Sequence, residues 1–586
     1  MTIRSHPRRN RESTPPVRRA GRAAFATGAA LALTLGTLAA GSAAWAGNGG
    51  GSGPTKTDAE DAALAFDRSA YTTITVNVDG VATPVRWYRE VCYVAKPTAV
   101  STNVANQACG YQSMNVFVPE SAARDQRTAI YYAENNSGWM ASYIKASIVD
   151  GGTYSSATST VGAALKAGYV FVDVATRSRG LVAADGTYAG KAPNVVVDAK
   201  AAVRYLRLND AVMPGSAERI VVNGTSGGGG LGAALGASGN SDEYLPHLAA
   251  AGSAGVDAKG RSTIDDDVFA VNVYCPITDL DDVDTAYEWL YNATGTRTAV
   301  GANPNPAASA ALAAAYPGYQ KSLGLRTADG TRLTASTMLD VITDEVERSA
   351  EAYLAANPAN SIPDLGENFV ITGSGAGTYV NDWIDIDPST RGVVSVDIAQ
   401  YLEFVATQNK LKPAPSFDQT GATVPGSGGG PGAGESNLFG TASQAYSNFT
   451  EYSWNANGTL AGAGGVGDGI GLDDTGLTWK QFLAKKSTTV DEQAELIDPL
   501  EFIGTSADTA PYWYVRHGTR DRDTSFTVSI NLAAALSADR SVEDVDYRLA
   551  WNQPHAGNYD VPEAFAWIAA SLADADAPNG HGGGRH

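Results

Sequence analysis

Apolar positions along this chain change their period twice. Between residues 70 and 118 they alternate with polar ones in YTTITVNV, ATPVRWYREVCYVA and QSMNVFVPE. A spacing of two predicts antiparallel strands at one edge of a sheet. From residue 129 the apolar runs become short and continuous, separated by helix-like stretches. AIYYAEN reads as a strand followed by an Asn-Ser-Gly loop, and AALKAGYVFVDVATR as a helix end running into a strand. NVVVDAKAAVRYLRLND reads as an amphipathic helix with Val197, Ala201, Tyr205 and Leu206 on one face. IVVNG and DVFAVNVYCPI read as the next strands. Strand–helix alternation of this kind predicts an α/β fold with a mostly parallel sheet.

The alternation stops after residue 277 and resumes near 511 with PYWYVRHG, VEDVDYRLAWN and the helix VPEAFAWIAASLA. The interval is helix-like and loop-like (ASAALAAAY, RSAEAYLAAN, VDIAQYLEFVATQ), with a low-complexity run from Gln419 to Gly434. So long an interruption is read as an inserted lid over the C-terminal edge of the sheet, where open α/β sheets place their sites. The expected organisation is an export signal (1–46), a flexible lead-in (47–68) and the first part of the core (69–279). An inserted lid (280–505, with its Gly/Pro-rich loop at 419–434), the second part of the core (506–572) and a disordered tail (573–586) follow.

The beginning of the chain supports that division. Seven arginines precede residue 23, the apolar run Ala23–Ala40 follows, and Ala44-Trp45-Ala46 offers a small-residue cleavage site before Gly47. Arg8-Arg9 and Arg18-Arg19 each allow a twin-arginine reading, but neither is followed by Phe-Leu, so Sec and Tat export both stand. A retained anchor is disfavoured by the shortness of the apolar run. The formal charge is −20; losing seven arginines and one glutamate with residues 1–46 takes it to −26. A surface that acidic repels nucleic acid and anionic lipid. No membrane partner is expected once the signal is removed. Three cysteines are present. In an oxidising compartment Cys92 and Cys109 are expected to close a local loop, leaving Cys275 as a packed thiol in a buried strand. No Cys/His spacing suggests zinc, and no metal or cofactor is expected.

The candidate chemistry begins at AERIVVNGTSGGGGLGAALGASG, residues 217–239. Gly224-Thr225-Ser226-Gly227-Gly228 is a G-x-S-x-G between a strand and a small-residue helix, the setting in which a sharp turn presents a nucleophilic serine. Taken alone the pattern is equally a glycine-rich surface turn, so it needs a histidine and an acid. Of six histidines, His6 leaves with the signal and His581 and His586 lie in the tail. His247 follows the serine helix closely and suits a structural or surface role. His517 ends the strand PYWYVRH. His555, after the last strand in WNQPHAGNY, holds the final place in the order serine, acid, histidine. The acid belongs on the preceding loop, where Asp521 and Asp523 both stand in HGTRDRD. Spacing does not choose between them, and both also suit a solvated loop paired with Arg520 and Arg522.

GTSGGGG, YCPITDLDDVDTAYEW, HGTRDRDTS and WNQPHAGNYD together resemble bacterial tannases. These form the tannin acylhydrolase branch of the α/β-hydrolases, related to feruloyl esterases. The resemblance extends from about residue 70 to 570. It implies an α/β-hydrolase fold with a large lid, Ser226 as nucleophile, Asp521 as triad acid and His555 as base. It further implies that Asp523, Lys412 (in LKPAPSFD) and Glu435 (in GESNLFG) bind the hydroxyls of a galloyl ring. Extra Gly/Pro-rich residues separate Lys412 from Glu435, and the Cys92–Cys109 segment is an addition to the family pattern. Without motif context, Lys412 and Glu435 are ordinary surface residues.

The chemistry is coherent on its own terms. Carboxylates accept from adjacent phenolic hydroxyls, and an ammonium donates back and offsets their charge. The oxyanion is expected to meet the Gly227 N–H and one N–H of the loop Asn135-Asn136-Ser137-Gly138, with Ser137 taken as the second donor. The expected activity is hydrolysis of small phenolic esters such as gallate esters and hydrolysable tannins, with no nucleic acid partner. Rival readings are a feruloyl or other aromatic esterase of the same fold, and a catalytically inactive binding module. A serine peptidase is disfavoured because no propeller-like repeat is visible.

Overall fold

The computed structural model describes residues 56–144, 147–257, 259–301, 305–418, 434–456, 477–484 and 489–577. The expected signal at 1–46, the start of the lead-in, the loop from 419 to 433 and residues 578–586 lie outside the described residues. Eight strands precede the insert: β1 (Thr72–Val78), β2 (Val81–Cys92), β3 (Ser113–Pro119), β4 (Ile130–Glu134), β5 (Thr153–Tyr154), β6 (Val170–Val174), β7 (Ile220–Thr225) and β8 (Ala270–Tyr274). The insert carries two hairpins, β9 (Asn368–Ile371) with β10 (Gly377–Val380) and β11 (Ile384–Ile386) with β12 (Val393–Val396). β13 (Tyr512–Gly518) and β14 (Asp544–Ala550) return to the main sheet.

That sheet runs β14-β13-β8-β7-β4-β6-β3-β2-β1-β5. The six strands from β14 to β6 are mutually parallel. β6, β3, β2 and β1 pair antiparallel, as the alternating N-terminal pattern predicts. Every residue of β4, β6, β8 and β13 is buried, which is why these strands read as mostly apolar runs without alternation. Alternate side chains feed two cores. Ile130, Tyr132 and Val222 pack with helices Asn194–Leu208 and Gly227–Ala237. Tyr131 and Val221 pack with helices Thr160–Ala167 and Val561–Ala575 on the other face. The pairings Thr225↔Tyr274, Arg516↔Tyr274 and Gly518↔Ala550 bring the C-terminal ends of β7, β8, β13 and β14 to one edge.

Several expectations need correction. The Asn194–Leu208 helix has the expected apolar face, but its polar face is not solvated. Asp198, Lys200 and Arg204 are as buried as its apolar face. Each is neutralised by a partner: Asp198 by Arg177 at 2.7 Å, and Lys200 and Arg204 by Asp266 at 2.7 and 3.1 Å. A buried charge is tolerated only when paired in this way. The lead-in is not flexible throughout, since residues 56–63 form a helix and the chain after it is docked. Leu64 is buried, and Asn209 donates to its carbonyl (3.0 Å) while accepting from the Phe66 N–H (2.8 Å). The final helix extends past 573 to Ala575, and Arg219 holds Asp576 just beyond it. Cys275 lies one residue past β8 rather than within it. The four hairpin strands of the insert were not foreseen, because alternation over three or four residues is too short to read as a strand. Cys92 and Cys109 are bonded, with Cα atoms 5.5 Å apart.

The insert sits on the edge where the parallel strands end. Trp383 packs with Phe369, Phe404 and Tyr401, and also with Trp551 just after β14. Arg520, on the loop after β13, donates to Ser374 (3.1 Å) and Gln408 (2.6 Å) of the insert and to the Asn552 carbonyl (2.9 Å). Among the described residues, no helix is long and apolar enough to cross a membrane.

Candidate active site

Ser226 follows β7 directly and caps the Gly227–Ala237 helix with φ 62° and ψ −123°. A non-glycine residue at positive φ is strained and persists only when its surroundings over-determine it. They do so here. The Ser226 N–H donates to the Tyr274 carbonyl (2.9 Å), and the Ser226 carbonyl accepts from Gly230 (2.9 Å) and Ile277 (3.2 Å). The flanking glycines are steric requirements. A Cβ on Gly224 would lie 2.1 Å from the Gly228 carbonyl oxygen, and one on Gly227 would lie 2.1 Å from the Trp139 nitrogen.

The serine Oγ lies 2.8 Å from His555 Nε2, and His555 Nδ1 lies 2.7 Å from Asp521 Oδ2. Positions 226, 521 and 555 thus meet as one hydrogen-bonded chain at the sheet edge. Asp521 is fully buried. Burial alone would raise its carboxyl, but the imidazoles of His555 and His517 outweigh that and hold it well below the usual carboxylate range. Burial disfavours the His555 cation, yet the Asp521 carboxylate dominates and raises the imidazole above its ordinary value. Asp523 does not compete for the histidine. Its N–H donates to Asp521 Oδ1 (2.7 Å), while its carboxylate lies 2.9 Å from Arg522 Nη1.

Cys275 Sγ approaches the Ala556 carbonyl at 3.4 Å, and burial raises its thiol. Among the described residues, Cys275, Asp521 and His555 bring potential metal donors within 4.8 Å of one another, as do Asp279, Asp281 and Asp498. In the first group the imidazole–carboxylate hydrogen bond already joins two of the donors.

The loop after β4 lies directly on Gly227, as the clash with Trp139 implies. Four contacts pin it. Asn136 Nδ2 donates to Thr176 (2.7 Å) and to the Met140 carbonyl (2.9 Å), Trp139 Nε1 to the Ile277 carbonyl (3.1 Å), and Ser178 to the Trp139 carbonyl (2.5 Å). The Gly227 N–H opens its helix and has no intrahelical acceptor. The Ser137 N–H is turned to the Asn135 carbonyl at 3.0 Å.

Glu134, beneath this loop, is buried with neither carboxyl oxygen hydrogen-bonded. Burial, and then the charge of Asp198, push its carboxyl up to about 8. A carboxyl raised above its unfolded value costs stability as pH climbs through the interval between the two, and the full penalty applies above the folded value. Glu134→Gln is therefore expected to gain roughly 2–4 kcal/mol more stability at pH 9 than at pH 4.5, by denaturant titration. Equal changes at both pH values would show that this carboxyl does not titrate as described.

The insert brings its residues to the same edge. Tyr287 joins Lys412 to the acid loop, accepting from the Lys412 N–H (3.1 Å) and donating to the Arg522 carbonyl (2.8 Å). The Lys412 ammonium lies 4.1 Å from the centre of the Phe417 ring. Asp284, from the YCPITDLDDVD motif, accepts three backbone N–H groups from Ser416, Phe417 and Asp418 (2.5, 2.9 and 2.9 Å) and so fixes the Lys412 loop. Glu435 is 8% exposed, with its carboxylate 3.8 Å from Arg179, whose guanidinium overhangs Gly138. Lys191 Nζ donates to the carbonyls of Asn437, Phe439 and Ala445 (2.9, 2.8 and 3.1 Å), tying down the segment after Glu435. His247 lies on a separate helix, 3.8 Å from Glu492. The sequence reading did not foresee Arg179, Tyr287, Asp284 or Lys191. Each acts through a contact more than a hundred residues distant, which local pattern does not encode.

The chain resembles several solved structures. The tannin acyl hydrolase of Lactobacillus plantarum is 30% identical, matched over 87% of this chain and 99% of its own, with a TM-score of 0.65. A tannin acyl hydrolase solved in complex with ethyl gallate is 30% identical over 87% of this chain and 98% of its own, with a TM-score of 0.64. The tannase of Fusobacterium nucleatum is 26% identical over 87% of this chain and 99% of its own, with a TM-score of 0.65. A family model described as BD-FAE matches residues 114–316. No curated protein matches.

Proposed function

We propose that this chain, which belongs to the bacterial tannase family of α/β-hydrolases and is a carboxylic ester hydrolase, cleaves galloyl esters through an acyl-serine intermediate. The observation that carries the reading is the unbroken path Ser226 Oγ–His555–Asp521, with Asp523 bonded to the far oxygen of the same carboxylate.

Ser226 attacks the ester carbonyl as His555 Nε2 takes its proton. Asp521 holds the imidazole in the required tautomer and stabilises the imidazolium. The oxyanion is received by the Gly227 N–H and by a second N–H of the loop above it; the expected donor, the Ser137 N–H, is instead engaged by the Asn135 carbonyl at 3.0 Å. His555 returns the proton to the departing alcohol. It then activates water to release the acid and regenerate the serine. Asp523 and Glu435 accept from the ring hydroxyls, and Lys412 donates to them. A buried site built around hydroxyls rejects a ring without them, because its polar groups would be left unpaired. Residues 280–505 act as the lid that carries Lys412 and Glu435. Secretion after removal of residues 1–46 fits the Cys92–Cys109 bond, since such bonds persist in oxidising compartments.

Comparing methyl gallate, methyl ferulate and para-nitrophenyl acetate tests the specificity, and gallate is expected to give the highest kcat/KM. Asp523→Asn leaves the backbone N–H that supports Asp521 untouched. It should therefore lower kcat/KM for methyl gallate about a hundredfold while acetate hydrolysis changes less than about threefold. Equal loss on both esters would remove Asp523 from ring recognition. Preference for ferulate would move the enzyme to the feruloyl-esterase reading.

A further inference from the structure

The mechanism above makes no use of His517. It closes β13 and is fully buried. Its Nδ1 lies 2.8 Å from the Ser529 hydroxyl. Its Nε2 lies 3.2 Å from Asp521 Oδ2, the oxygen that His555 also engages. That approach is off the ideal axis, but Nε2 has no better-aligned partner. Three donors surround the carboxylate between the two rings, the Asp523 N–H at Oδ1 and both imidazoles at Oδ2.

The tautomer follows from electrostatics. A bare Nε2 would set its lone pair against a carboxylate oxygen at 3.2 Å, which is repulsive, whereas an N–H there is attractive. With the proton on Nε2, Nδ1 becomes an acceptor, and the Ser529 hydroxyl donates to it in preference to the Phe526 carbonyl at 3.1 Å. Tyr547, 3.3 Å from Ser529 Oγ, can then donate to that oxygen.

We propose that His517 is a second histidine of the catalytic acid, a positioning residue whose Nε2–H shares Asp521 Oδ2 with His555 and so limits how tightly Asp521 draws a proton onto His555. A base must release its proton as readily as it accepts one. An undivided carboxylate would hold the imidazolium too firmly and move it away from the operating pH. Cys275, Tyr291, Tyr401 and Tyr547 also face this cluster, and burial raises all four, so none of these four changes charge across the acid limb. The remaining charged side chains on the acid loop are Arg520, Arg522 and Asp523, the last two paired at 2.9 Å.

The test uses the full chain and para-nitrophenyl acetate, which bypasses ring recognition. Removing the second donor in His517→Leu should strengthen the Asp521 anion facing His555. The acid limb of kcat/KM should then move up by at least about half a pH unit, with kcat falling about tenfold. His517→Gln, whose amide N–H can take the place of Nε2–H, should restore both. An unmoved acid limb in an active Leu variant would overturn the proposal, as would a Gln variant shifted as far as Leu. If the Leu variant does not fold, the ¹⁵N shift of Nε2 in the unmodified enzyme decides. A protonated nitrogen supports the assignment and an unprotonated one refutes it. The inference rests on the triad proposed above. Turnover retained by Ser226→Ala would defeat that triad, whereas an unshifted limb in an otherwise active enzyme would defeat only the role of His517.

Discussion

Ser226→Ala should leave a folded protein whose kcat for methyl gallate has fallen by at least about 10⁴-fold. The direction follows from the 2.8 Å contact between Oγ and His555 Nε2. No other hydroxyl is placed there by any contact described above. The residual rate would come from the oxyanion donors and from ring binding alone. Folding should survive, because the positive φ is enforced by backbone bonds from Tyr274, Gly230 and Ile277 rather than by the hydroxyl. A melting temperature within about 2 °C of the parent, with turnover gone, is the expected pair of results. Turnover above a few per cent of the parent, in protein shown by mass to carry the substitution, would end the serine's candidacy as nucleophile.

Arg297→Met is expected to produce the largest loss of stability. Arg297 and Glu288 are both fully buried and bonded to each other, with Ser309 Oγ 2.6 Å from the same carboxylate. Removing the guanidinium strands a carboxylate in the interior, which costs about 3–5 kcal/mol. The penalty should deepen with pH. Without its partner, Glu288 keeps a raised folded value, so stability falls as pH climbs above the unfolded value near 4.5. The same guanidinium donates to the Lys412 carbonyl at 2.7 Å, so KM for methyl gallate should rise more than KM for para-nitrophenyl acetate. Replacing both members of the pair, Arg297→Met with Glu288→Met, should recover most of the stability but not the gallate KM. Recovery of both would mean that the contact to Lys412 has no bearing on the ring. Thermal melts at pH 5 and pH 8 with initial-rate kinetics decide the matter.

The parts of the fold that were legible are those with strong local period. β4, β7, β8 and β13 are mostly apolar runs because both of their faces are covered, and β1 to β3 alternate at the sheet edge. Ser226 was legible because its turn needs glycine on both sides for steric reasons that leave a mark in composition. His555 was found largely because so few histidines competed. Choosing Asp521 over Asp523 required the family resemblance, since loop spacing does not say which carboxylate turns inward. Here the inward one is Asp521, and the N–H of Asp523 completes its hydrogen bonding. What stayed hidden was long-range. The buried charges on the Asn194–Leu208 helix looked like a solvated face, because Arg177 and Asp266 lie far away in the chain. Lys191 carried no signal, although its three carbonyl partners all follow Glu435.

The bond from the Asp523 backbone to Asp521 has a practical consequence for altering this enzyme. On the proposed reading, choice of aromatic acid and speed of proton movement share the three-residue stretch Asp521–Asp523. Grafting a foreign version of that stretch to obtain a new preference would disturb the machinery at the same stroke. Variation at Glu435 and Lys412, which hang from the insert and share no bond with the histidine, offers a route to new esters that leaves the engine running.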